Sequence, residues 1–135
     1  MLIGRLWIGC VAAAVAAIAP GLHAEELSGY SGADLYRRFC ASCHGAGAHG
    51  DGAVAGSLRS IVPDLTLLAR RHGGTFPADQ VRKIIDGRSV RPPHGDRDMP
   101  VWGFEFRSAV PAGADPGQAD QLIERLTDYL QSIQH

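Results

Sequence analysis

Cys40-Ala41-Ser42-Cys43-His44 is the stretch on which the reading of this chain turns. C-x-x-C-H is the attachment spacing of a c-type haem. Two thiols three residues apart lie on one side of a helical turn, and the next residue reaches beneath a ring held by both. The thiols would add to the haem vinyl groups as thioethers, and the histidine would become an axial ligand of the iron. Two other chemistries use a bare C-x-x-C, a redox disulfide and half of a zinc site.

Upstream, Met1 to Ala24 has the layout of a secretory signal peptide. Arg5 supplies the charge, Leu6 to Ala19 the apolar run, Pro20-Gly21 the break, and Ala24 a small residue before a cut ahead of Glu25. The run is short for a membrane span, which needs about 20 apolar residues; an uncleaved anchor is the alternative. Cys10 precedes most of the apolar run, which argues against a lipid-modified cysteine. Cleavage would leave Cys40 and Cys43 as the only cysteines. No disulfide framework then competes for them, and an exported location, the periplasm in a Gram-negative bacterium, suits a chemistry that captures both thiols. The chain thus divides into a signal, residues 1–24, and one domain, residues 25–135.

The exported part is roughly 110 residues, a single small domain. Its own apolar core would be modest, and a buried haem would supply much of the missing apolar surface. The full chain has 13 Lys and Arg against 14 Asp and Glu. Losing Arg5 makes it 12 against 14. That mild acidity argues against nucleic acid as a partner.

Glu25 to Tyr30 reads as a short mobile lead-in. Ser31-x-x-Asp34 resembles a capping box and predicts a helix through Leu35, Tyr36 and Phe39 into Cys40. Gly45 to Gly56 lacks an apolar period and reads as loop. Asp64 can cap a second helix through Leu65, Leu67, Leu68 and Arg71, ended by Gly73-Gly74. Pro77 suits the first turn of a third, with Val81, Ile84 and Ile85 on its apolar side and Gly87 at its end. Arg88 to Gly103, with Pro92, Pro93, Gly95 and Pro100, reads as a long irregular loop. From Pro116 or Gln118 to Ile133 the stripe Leu122, Ile123, Leu126, Tyr129, Leu130, Ile133 predicts the last helix, with Glu124, Arg125, Asp128 and Gln131 opposite. No segment alternates like a strand, so the fold class is all-α.

Taken together, these residues resemble a class I, single-haem c-type cytochrome over nearly all of the exported part. The likeness starts at Gly32-x-x-Leu35-Tyr36 and runs through Cys43-His44-Gly45 and Pro63-Asp64-Leu65. It continues through Gly73-Gly74-x-Phe76-Pro77, Ile84-Ile85-Asp86-Gly87-Arg88 and His94-Gly95-x-x-x-Met99-Pro100-Val101-Trp102-Gly103, and closes with Tyr129-Leu130. The resemblance implies a small helical domain wrapped around one covalent haem c, first and last helices crossing, and an iron held by His44 and Met99. It makes Pro63 the candidate whose carbonyl holds the His44 ring, although Pro63 follows His44 at a longer distance than is usual in the family.

Met99 is the only methionine after the signal. By type alone it would be core filler. Its place in a Pro- and Gly-rich loop, stiffened by Pro100, fits a ligand better. His94 is the rival ligand. His49 and His72 read as surface residues, and His135 as a frayed terminus. Trp102 reads as core or as a propionate partner, and Arg59, Arg88, Arg91 and Arg97 as surface cations able to neutralise propionates. Tyr36, Phe39, Leu126, Tyr129 and Leu130 read as core.

The resemblance implies a single-electron carrier and not an enzyme. It would be a monomer whose partners are a redox donor and acceptor, meeting the membrane only through partner complexes or an uncleaved signal. The alternatives are the electron-accepting haem subunit of a dehydrogenase complex, a haem protein with an open iron site for peroxide or gas, and a thiol oxidoreductase using Cys40 and Cys43. No βαβ pattern surrounds the cysteines to support the last.

Overall fold

A computed structural model describes residues 27–89, 99–109, 115 and 117–135. The signal segment with Cys10, Arg91, Arg97, His94 and Pro116 lie outside the described residues. Among the described residues there are helices and no strands, and no helix is long and apolar enough to cross a membrane.

Helix α1, Gly32–Phe39, starts where the capping box predicts. The Asp34 amide donates to Ser31 Oγ at 3.2 Å, and the Ser31 amide donates back to the Asp34 carboxylate at 3.0 Å. Two of the amides that a helix start leaves unpaired are thereby satisfied. Leu35 and Tyr36 are fully buried. A short turn, α2, Ala41–His44, follows directly. The Gly45–Gly56 stretch is loop apart from a 3-10 turn at Ala55–Ser57 that buries nothing, so it left no apolar period to read.

Asp64 does cap the next element. Its Oδ1 accepts from the Thr66 amide at 2.8 Å. The element begins as a 3-10 turn, Leu65–Leu67, and continues as α3, Leu68–Arg71. Helix α4, Ala78–Ile85, has Pro77 as its N-cap and buries Val81 and Ile85, with Ile84 half-buried.

Helix α5, Trp102–Ala109, corrects the sequence reading, in which the irregular loop ran through Gly103 and nothing helical followed. It has a weak apolar stripe, since only Gly103 and Phe106 are buried and Phe104 is exposed. Packing holds it. Phe39 meets Trp102 and Phe106 with ring centroids 5.1 and 5.3 Å apart.

Helix α6, Gln118–Ser132, is the hub, touching α1, α4 and α5. Ala119, Leu122, Ile123, Leu126, Thr127 and Leu130 are buried along it. Each buried leucine or isoleucine contributes about 1.5–3 kcal/mol of apolar transfer. At the α1–α6 crossing a Cβ on Gly32 would strike the Arg125 carbonyl and the Tyr129 Cβ. Glycine is therefore what lets the two backbones approach.

Two stretches read as mobile are fastened. Arg125 donates to the carbonyls of Ser28 (2.6 Å) and Tyr30 (3.1 Å), which pins the lead-in to α6. The His135 amide donates to the Thr66 carbonyl at 3.1 Å, so the backbone of the last residue is tied down.

Candidate haem site

The α2 turn is built to present its residues in a fixed order. The amides of Cys43 and His44 both donate to the Cys40 carbonyl, at 3.2 and 2.9 Å. So short a helix leaves most of its carbonyls unpaired, and the following loop supplies the missing donors. Gly52 donates to Cys43, Val54 to Ser42 and Gly50 to His44, at 2.9–3.1 Å. Gly45 caps the turn at φ 82°, a left-handed conformation that suits glycine. Ala48 takes the same region at φ 64° despite its Cβ. It is fully buried, and its carbonyl accepts from the Leu65 amide at 2.7 Å. That bond ties the loop to the element after Pro63. Tyr36, also buried, donates from its hydroxyl to the Gly45 carbonyl at 2.7 Å.

His44 is buried. Its Nδ1 lies 3.2 Å from the Pro63 carbonyl. A carbonyl can only accept, so Nδ1 carries the proton and the lone pair sits on Nε2. Burial lowers the pKa of the ring, and the Pro63 bond partly opposes that. A neutral imidazole with its tautomer set by a backbone acceptor is the form that ligates a metal. The longer spacing from His44 to Pro63 does not prevent the contact, because the intervening loop folds back on α2.

Cys40 and Cys43 are half-buried free thiols. Burial, with a smaller contribution from Cys43, pushes the Cys40 thiol up to about 12. That opposes thiolate formation and so opposes a redox-nucleophile role. Among the described residues no group of three or more His, Cys, Asp or Glu could hold a metal ion. A zinc site needing further such ligands is not assembled there.

Phe39, Leu65, Leu68, Phe76, Met99 and Trp102, from separate segments, are half-buried against the core. Ile61, two residues before Pro63, stands 95% exposed. Two thiols and a neutral imidazole on one turn, with a thioether elsewhere at the edge of the core, are donor types that fit a covalent haem.

The remaining candidates are placed as follows. Met99 sits against the core just ahead of α5. Trp102 is half-buried and packs on Phe39 and Phe106. Arg88 is engaged by the Asp86 carboxylate, and Arg59 is exposed. His49 is exposed beside Asp64, and His72, at the end of α3, donates to the Leu68 carbonyl at 2.8 Å. Gln134 was not singled out by sequence, and Asp86 only as part of the Ile84-Ile85-Asp86-Gly87-Arg88 likeness, since nothing local marks a residue whose partners lie far along the chain.

No curated protein and no solved structure matches this chain. A family model described as cytochrome c oxidase, cbb3-type, subunit III matches residues 29–130. That span runs from the start of α1 almost to the end of α6, and with it the chain belongs to this family of all-α c-type cytochrome domains, which carry covalent haem c.

Proposed function

We propose that this chain is a single-electron carrier in which Cys40 and Cys43 anchor the haem and His44 and Met99 take the two axial positions of its iron. Bound haem c supplies a ferric/ferrous one-electron couple. The chain's own residues do the rest. Pro63 holds the proton on His44 Nδ1 and aims Nε2. Leu65, Leu68 and Phe76 would offer the haem apolar surface. With His44 and Met99 both holding the iron, no position would remain there for a substrate, and the protein would transfer electrons and turn nothing over. The observation that carries this reading is the His44–Pro63 hydrogen bond beside two free thiols.

The family's description favours one refinement, membership of an oxidase or similar complex over free diffusion. Either way the partners are a redox donor and acceptor, and brief contacts between such proteins use small interfaces. The signal-like segment and the exported habit of this family support cleavage ahead of Glu25 and a periplasmic location. N-terminal sequencing of exported protein should begin at Glu25; an intact Met1 in the membrane fraction would establish an anchor instead.

The central test uses protein made with cytochrome c maturation functions. The parent should keep haem colour on a denaturing gel and show the far-red charge-transfer band of methionine-bound ferric haem. The Cys40→Ser/Cys43→Ser variant should lose the colour. Met99→Ala should lose the band, bind carbon monoxide rapidly and fall in potential, while His94→Ala stays like the parent. A Met99→Ala protein that remains low-spin, with His94→Ala losing that state, would establish bis-histidine ligation.

A further inference from the structure

Asp86, the C-cap of α4, is the only buried carboxylate among the described residues. Its side chain is 1% exposed. Oδ1 accepts from Arg107 on α5 at 2.5 Å, and Oδ2 is engaged by Arg88 Nε. A carboxylate withdrawn from water is tolerated only when paired and hydrogen-bonded. Asp86 therefore holds Arg107, and α5 with it, at the end of α4.

The same corner is closed sterically. A Cβ on Gly103 would run into the Asp86 carboxylate, and one on Gly87 into the Val101 side chain. The α4 end and the α5 start touch with no room for added atoms. Asp86 and Arg107 are 21 residues apart, and Met99 lies between them. Their bond is thus the neck of the loop that carries the methionine. On the far side, Trp102 and Phe106 pack on Phe39, the residue before Cys40.

We infer that the Asp86–Arg107 pair, assisted by Arg88, is a latch that positions Met99 for ligation. The inference rests on the His44/Met99 reading above. A thioether tethered in a loop competes with external ligands according to its effective concentration at the iron, which is set by how tightly the loop ends are held. Closing the neck removes loop entropy before the sulfur binds. Opening it raises the fraction of molecules with the sulfur off the iron, and the apparent affinity of any competitor rises in proportion.

The test is an imidazole titration of the ferric holoprotein, read by loss of the methionine charge-transfer band. Asp86→Asn and Arg107→Gln should each lower the half-saturating imidazole concentration by about tenfold, as a tenfold larger open fraction requires. Haem stays covalently attached in both. The double variant should shift little further than either single, as for one coupled pair, and Arg107→Lys should restore part of the effect. Thr127→Ala, which removes a buried hydrogen bond within α6, should lower the melting temperature and leave the titration unchanged. Should Asp86→Asn fail to fold, Arg107→Gln carries the test, because its side chain is 48% exposed. Half-saturation like the parent's in both neck variants, or an equal shift in Thr127→Ala, overturns the latch and leaves the ligation reading standing. A parent without the band overturns both.

Discussion

His44 owes its orientation to a proline 19 residues away, and that proline is held by its neighbour. Asp64 accepts from the Thr66 hydroxyl at 2.6 Å and from the Thr66 amide at 2.8 Å, with His49 Nδ1 3.3 Å from its other oxygen. The Thr66 hydroxyl bond, and after it the amide bond and His49, hold the Asp64 carboxyl below its ordinary 3.8. A depressed carboxyl contributes stability that is complete above the ordinary value and is lost as pH falls through the folded one. Thermal melts of the holoprotein should therefore drop on acidification below about pH 4. Asp64→Asn should start lower at neutral pH and lose less over the same interval; parallel curves would remove Asp64 from the acid response. The Cys40, Cys43 and His44 motif and the Ser31–Asp34 box were legible because their geometry is set within one helical turn. Arg125 was placed on the solvent side of its helix from its polarity, yet it binds two carbonyls about a hundred residues upstream.

At the scale of elements, the crossing of α1 and α6 sets the frame in which the haem turn sits. Gly32 lies at the crossing, and a methyl group there meets backbone. Alanine is a better helix former than glycine by about 0.8–1 kcal/mol. Overpacking a fixed contact costs about 1–3 kcal/mol, so the clash should win. Gly32→Ala is expected to destabilise the holoprotein by about 1–2 kcal/mol in denaturant unfolding, whereas a gain in stability would mean that the helices can separate at little cost. Helices α1, α4 and α6 were legible because each has a clear apolar stripe with a cap or turn signal. Helix α5 was not, because Trp102, Phe104 and Phe106 do not make a stripe and Gly103 weakens the local preference for helix. Contacts with Phe39, α6 and Asp86 decide its conformation.

For the whole molecule, the last residues close the structure over the segment that follows Pro63. Gln134 Oε1 accepts from the Ala69 amide at 2.8 Å, and its Nε2 donates to the carbonyls of Leu65 and Leu130 at 2.8 and 2.6 Å. Gln134→Ala should leave α1 and α6 protected from hydrogen exchange while the amides of residues 65–69 exchange faster. Uniform protection would show that this segment is held without the clamp. The charge pairs follow the same logic. Arg82 joins Asp79 on its own helix to Glu124 on α6, at 3.0 and 2.6 Å. What the sequence by itself determined was local: the Cys40–His44 turn and three amphipathic helices with the signals at their ends. Those depend on periodicity and on neighbours a few residues apart. The tertiary structure decided that the Pro63 carbonyl does reach His44 across so long a spacing, that Asp86 and Arg107 pair, and that Ser28 and Tyr30 are tied to α6 and the C-terminal residues to the Leu65–Ala69 segment. Each is a contact between residues far apart in the chain, chosen because a buried polar group must find a partner and only the assembled core determines which one is near.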